Sequence, residues 1–312
     1  MGGNNEYSEE QSQKTRSSRP RRHLTPYFML APVILGLFLL VYYPLFTTLR
    51  LSFYSYAWNK PQAGSKFVGT RNYERILRDR IEFWPSVENT VTFTVVSTSL
   101  CIVIGLGLAL FVDRQFKGKT VYVALLLLPT MIAPVVSGLT WKFMFDGMFG
   151  AVNYFIALLG FEPVAWLSSS KTALGCVIVA DVWQYSPFVF LVMLASLQAI
   201  PPELFEAARI DGASGWTLFS RLKLPMIMPQ LLLVGVIRLM DTFRVFDLIY
   251  LMTNGGPAGS TQTIGFLCYQ RTFRHFKMGE GAVIAIFILV AVLMLSFYFI
   301  KALLENARGL AR

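Results

Sequence analysis

Five charged side chains fall inside segments that are otherwise apolar, Asp181 in one and Arg238, Asp241, Arg244 and Asp247 in another. Charge in such surroundings is costly and marks a solute path, a proton relay or a tie between helices. The last four recur every third residue with alternating sign, so each can pair with its neighbour along one helix, a role that suits Arg244 and Asp247 near the end of the segment. Arg238 and Asp181 are deeper, roughly 20 Å and 13 Å in from opposite ends at 1.5 Å per residue. Asp181, Gln184 and Tyr185 share a helix face at i, i+3 and i+4, with Trp183 near enough to offer its ring. Convergent donors and acceptors beside an aromatic platform suit a neutral polyhydroxy ligand. Asp181, Trp183, Gln184, Tyr185, Arg238 and Asp241 are therefore the candidate solute-pathway residues, with helix-to-helix packing as the competing role.

Bond-making chemistry has little to work with. Cys101, Cys176 and Cys268 are odd in number and far apart, and His23 and His275 stand alone, so neither a disulfide framework nor a metal site is expected. Gly118-Lys119-Thr120 resembles the end of a phosphate loop, yet Asp113 occupies the position that requires glycine and no strand precedes it. No catalytic residue and no cofactor are expected on this chain.

The elements that position these residues are set by a lipid solvent. The 312 residues are 54% hydrophobic and 15% charged, with a mean hydropathy of +0.53, far more apolar surface than a water-soluble domain of this length buries. Six apolar runs, near 27–49, 88–112, 120–145, 172–197, 226–250 and 280–303, are each long enough to cross a bilayer core of ~20 helical residues. An even number places both termini on one side. The net charge of +10 resides mostly beside the runs, which points to anionic headgroups and not to nucleic acid. Residues 1–23 form a polar tail expected to be disordered, and the apolar run after it is too long for a signal sequence. Lys and Arg are nearly balanced between the two sides; the cluster Arg16, Arg19, Arg21 and Arg22 favours the tail inside, whereas the first long loop dissents.

Between the fourth and fifth runs, residues 198–225 read as a helix, a break and a second helix. Pro201 and Pro202 suit a first turn with Glu203 at its positive dipole end, Gly212 supplies the stop, Ser214 caps the second helix, and Pro225 ends it. The apolar stripes are too short to span a membrane, so a compact knob results. An amphipathic hairpin on the headgroups is the plain alternative.

The residues of that knob say more. Glu206-Ala207-Ala208, then Asp211-Gly212-Ala213, then Leu224-Pro225 and Pro229, are similar to the coupling loop, or EAA loop, of ATP-binding-cassette importer permeases. The likeness extends over nearly the whole chain beyond the tail and narrows to the sugar-uptake branch, through Ala31-Pro32, Tyr43-Pro44, Phe67-Val68-Gly69, Phe246-Asp247-Leu248-Ile249-Tyr250 and Gly255-Gly256-Pro257 among others. The resemblance implies an all-α membrane protein of the type I importer permease fold, six transmembrane helices (residues 24–312) with a cytoplasmic coupling loop at 198–225, in a bacterial inner membrane with both termini cytoplasmic. It implies as partners a cytoplasmic ATPase dimer carrying ATP and Mg, a second permease subunit, most simply a different chain, and an extracytoplasmic solute-binding protein. Phe205, Glu206, Ala207, Ala208, Asp211, Gly212, Trp216, Phe219, Leu224 and Pro225 become the ATPase-coupling candidates. The expected activity is import of a sugar, oligosaccharide or sugar alcohol; an amino-acid or peptide importer, or a self-contained secondary transporter, are the alternatives.

Overall fold

The computed structural model describes residues 25–57, 64–114 and 116–310; the tail expected at 1–23 lies outside them. Two units are distinguished, Met1–Thr47 and Thr48–Arg312. The first holds α1 (Thr25–Leu37), a π-helical turn (Phe38–Tyr42) and the start of α2 (Tyr43–Ser52). A second π turn (Phe219–Lys223) recurs in the other unit, and each ends one residue ahead of the residue that precedes a proline, Pro44 or Pro225. Proline cannot donate the i→i−4 bond, and the wider turn just before it lets the helix run on.

The second unit begins with a short antiparallel pair, β1 (Tyr54–Ser55) and β2 (Lys66–Phe67), followed by α3 (Arg71–Arg78). Its centre is the packing of α4 (Phe83–Val112) on α8 (Ala173–Gln198). Buried Ser86, Thr90, Thr94, Ser97, Cys101, Gly105 and Ala109 form a small-residue stripe along α4, which lets two backbones approach closely where lipid offers no hydrophobic drive for association. At Gly105 a Cβ would sit 2.6 Å from the Val189 Cβ and 2.9 Å from the Phe190 nitrogen.

Among the described residues five helices are long and apolar enough to cross a membrane, six if a bent pair counts as one span. That pair corrects the third expected run. Instead of one helix over 120–145 there are α5 (Lys119–Met131) and α6 (Pro134–Met144), bent by 95°. Ala133 precedes Pro134 and is driven out of the helical region, with ψ at 138°. The carbonyl of Ile132 freed by the break accepts a hydrogen bond from Gln184 Nε2 at 3.0 Å. After α7 (Ala151–Leu158) and α8 come the knob helices α9 (Pro202–Ile210) and α10 (Gly215–Leu218).

The fifth run is also redrawn. Pro225 does not end the second knob helix, because the π turn carries α10 into α11 (Leu224–Phe243). Nor does α11 reach residue 250: it stops at Phe243, and α12 (Asp247–Met252) starts separately. α13 (Ile264–Tyr269), a third π turn (Gln270–Arg274) and α14 (Met278–Leu310) complete the chain. At the end of α4 remote from the knob, Arg271 bridges Asp79 and Glu82, both at 2.7 Å, and buried Glu280 at 3.1 Å. Asn89 of α4 donates to the carbonyls of Gly259 (3.0 Å) and Gln262 (3.1 Å), fixing the loop between α12 and α13.

Candidate functional site

Where α4, α8 and α11 meet, the buried Asp181 carboxylate pairs with Arg238 Nη2 through the same oxygen that accepts the Ser97 hydroxyl. The Arg238 guanidinium lies over the Tyr185 ring, 4.3 Å from its centroid. Thr242 donates to the Arg238 carbonyl at 2.8 Å, closing the last turn of α11 behind it. These contacts hold a planar cation in one place, since a fork-shaped donor and a ring face both fix its orientation.

The expected pairing along one helix is thus only partly realised. Arg238 reaches across to α8 instead of to Asp241, and Asp241 pairs with the exposed Arg244 at 2.7 Å. With the helix ended at Phe243, Asp247 no longer follows Arg244 by one turn and instead heads α12, where the helix dipole favours an acid.

A cavity of about 300 Å³ opens on this cluster, lined by Asp181, Tyr185, Arg238, Asp241, Arg244 and Asp247 with Pro134 and Phe246. Four of the six solute-pathway candidates therefore share one wall. Gln184 and Trp183 are not on it: Gln184 serves the α5–α6 break, and Trp183 packs edge-on against Trp141 at 5.7 Å. Sequence reasoning overlooked Ser97, a small polar residue in the α4 stripe, and Phe246, which stacks on Tyr250 at 5.4 Å and meets Tyr269 at 5.0 Å. Small polar spacing in α4 was the available signal for Ser97; Phe246 stood in the run Phe246–Tyr250 that carries the family likeness but was given no place in the pathway.

The knob lies at the opposite end of α8, a helix of 26 residues, about 39 Å long at helical rise. Gly212 takes φ +80°, and Ala213 N–H reaches back to the Ala208 carbonyl at 2.9 Å, the pattern by which a left-handed glycine closes a helix. Ser214 Oγ accepts from Thr217 N–H at 3.4 Å, capping α10 as its sequence suggests. Glu206, Ala207, Asp211, Gly212 and Trp216 are exposed, and Trp216 lies 5.6 Å from the Phe219 ring. Ala208, Phe219, Leu224 and Pro225 are half-buried. Phe205 turns inward against the core and carries Lys223 over its ring at 5.2 Å. Lys223 in turn bonds Asp113 at 2.7 Å, just past the end of α4. A carboxylate there opposes the helix dipole, and the lysine offsets that cost. The knob is thereby strapped to α4 by Phe205, Lys223 and Asp113, the last two overlooked by sequence reasoning because they are 110 residues apart.

Residues 101–309 match the family described as "Binding-protein-dependent transport system inner membrane component". The chain is 39% identical over 272 residues to the trehalose/maltose transport system permease protein MalF of Thermococcus litoralis, covering 87% of this chain and 90% of that one. It is 33% identical to the trehalose transport system permease protein SugA of Mycobacterium tuberculosis, over 95% of this chain and 94% of the other. A solved bacterial ABC transporter involved in the import of the acidic polysaccharide alginate shares the fold, with a TM-score of 0.79 at 23% identity over 91% of this chain and 96% of that one.

Proposed function

The chain belongs to the family of binding-protein-dependent transport system inner membrane components, and from that premise we propose that it carries a sugar, oligosaccharide or sugar alcohol across the membrane, driven by a separate ATPase docked on the knob. The observation that carries the coupling role is the knob itself: an exposed acidic and aromatic surface (Glu206, Asp211, Trp216) across two short helices, strapped to α4 through Phe205, Lys223 and Asp113. A rigid strap passes displacement of the knob to the α4–α8 pair, and that pair holds Ser97 and Asp181 at the cavity. Closure of an ATPase dimer would then reach the cavity through two continuous helices, a packed route for switching between outward and inward openings.

In this reading the knob and both termini are cytoplasmic, ATP and Mg reside on the ATPase, a second permease subunit completes the pathway, and an external receptor delivers the solute. Sugar as cargo is supported by the names of the relatives and by the hydroxyl-compatible wall of Asp181, Tyr185, Arg238 and Asp241, whose polar groups converge on one cavity. The alternatives, an amino-acid or peptide importer and a self-contained carrier, have less in their favour: the former fits those names poorly, and the latter leaves the exposed knob without a role.

Copurification tests the docking. Tagged chain expressed with its ATPase should retain it, and Glu206→Lys or Gly212→Pro should release it without loss of membrane insertion. Undiminished capture by both variants would overturn the assignment of the knob.

A further inference from the structure

A second cavity, of about 460 Å³, lies at the other end of the α6–α12 pair. Pro134 and Leu248 line the first cavity, whereas Lys142 and Phe145 at the end of α6 and Met252 of α12 line this one. From Pro134 to Lys142 is about 12 Å along the helix, in the direction away from the knob.

Its walls are fixed by bonds already made. Buried Asn153 donates to the carbonyls of Gly147 and Val164, both at 3.0 Å, and accepts from Val164 N–H (3.1 Å) and Trp166 Nε1 (2.8 Å). One side chain thus ties both rim loops together. Across the opening, the hydroxyls of Thr253 and Thr261 bond at 2.7 Å, and Thr261 donates to the Gly256 carbonyl at 2.8 Å. The Asp146 carboxylate accepts from Met148 and Phe149 N–H at 2.9 Å each, which keeps it below the usual carboxylate range and so ionised at neutral pH.

Within this frame two aromatic rings, Phe145 and Trp166, lie 6.0 Å apart. Lys142, Asp146 and Ser168 line the same cavity and bring it their polar heads. The rings offer apolar faces, the heads offer donors and acceptors, and the formal charges cancel. A lipid tail would leave the heads without a role, and because the two charges cancel the cavity offers no net attraction to an anion or a cation. The volume falls in the ~300–1,000 Å³ range of small-ligand sites, while a protein contact calls for a broad surface of about 800 Å².

We propose that this cavity is a second saccharide subsite, which receives a neutral pyranose ring on the face opposite the knob before it moves along α6 and α12 to the Asp181–Arg238 cavity. The rings stack on the C–H face of the sugar, and Lys142, Asp146 and Ser168 bond its hydroxyls. This rests on the sugar-import reading, and its test separates the two.

The assembled transporter carrying Ser168→Cys, in nanodiscs without receptor, is labelled with a membrane-impermeant maleimide; Ser170→Cys, exposed but off the cavity, serves as control, and the unsubstituted chain gives the background of its native cysteines. Maltose or trehalose at twice its dissociation constant should slow labelling of the thiol at position 168 about threefold by simple occupancy, with no change at position 170. Adding Lys142→Met should raise the concentration needed about tenfold, as expected for loss of a hydrogen bond from a charged donor. Unchanged labelling while the wild-type transporter imports the same sugar overturns the subsite alone. Failure to import any sugar overturns the import reading, whatever the labelling shows. Protection by sugar-free receptor but not by sugar assigns the cavity to a protein contact and overturns the proposal.

Discussion

Replacing Arg238 with methionine removes a guanidinium held between the Asp181 carboxylate and the Tyr185 ring. Both charged side chains are nearly inaccessible, Arg238 at 1% and Asp181 at 3% exposure, so the survivor is left with little hydration beyond what the adjoining cavity offers. Breaking such a pair by deleting one partner costs about 3–5 kcal/mol, and loss of the ring contact at 4.3 Å adds to it. Asp181→Leu alone should cost a similar amount, because Arg238 then loses its only ionic partner among the described residues. Asp181→Leu with Arg238→Met removes both charges at like volume and should return stability to within about 1 kcal/mol of the parent, since apolar replacements of buried pairs are often neutral. The coupling energy of the cycle should therefore be about 5 kcal/mol or more. Thermal or denaturant unfolding of the nanodisc-embedded complex gives the stabilities, and solute uptake with its coupled ATP hydrolysis gives the function. All three variants should lose uptake, because the pair lines the cavity. Additive single effects would refute the energetic argument, and wild-type uptake by the restored double variant would reduce the pair to a fastening between α8 and α11.

The strap gives a charge-reversal test: Asp113→Lys or Lys223→Asp should lower uptake per ATP hydrolysed, and the two together should recover most of it, as measured in proteoliposomes. Gly105→Val should destabilise the protein by about 1–3 kcal/mol through overpacking, because its Cβ meets the Phe190 backbone nitrogen; a thermal melt equal to the parent's would contradict the close approach of α4 and α8. For Asp146 the sign is that of a lowered carboxylate: its bonds to Met148 and Phe149 are fully present above the ordinary Asp range and are lost only as pH falls through its depressed value. Amide exchange at Met148 and Phe149 should therefore stay slow through mildly acidic pH, and fast exchange already at neutral pH would contradict it.

Much of this was legible because lipid leaves a coarse imprint on sequence. Apolar length alone located α4, α8 and α14, since a bilayer sets the span and the run betrays it. Gly212 and Ser214 announced the break in the knob by their own backbone chemistry. Direction and rotation were less accessible. The run from 120 to 145 is apolar on both sides of its 95° bend, so hydropathy sees one span; the signal was the residue before Pro134, which is weak because prolines are tolerated in membrane helices. Pro225 misled for the converse reason: it marks a stop only where no π turn precedes it. Asp181, Gln184 and Tyr185 do share a face of α8, but Gln184 is taken up by a carbonyl 52 residues earlier, a partner that no local pattern identifies. Arg238 likewise pairs with Asp181, 57 residues earlier on α8, while Asp241 is taken by Arg244, a choice set by tertiary packing and not by spacing along its own helix.

Whether a separate ATPase drives a sugar through this chain is tested most directly by uptake of labelled trehalose or maltose into proteoliposomes containing the chain, its second permease and its ATPase, with receptor outside and ATP inside. Accumulation that needs both ATP and receptor, and disappears with Gly212→Pro while the complex remains in the membrane, is the expected result. Accumulation by the chain alone down an ion gradient, or ATP-driven uptake of amino acids in place of either sugar, would contradict it.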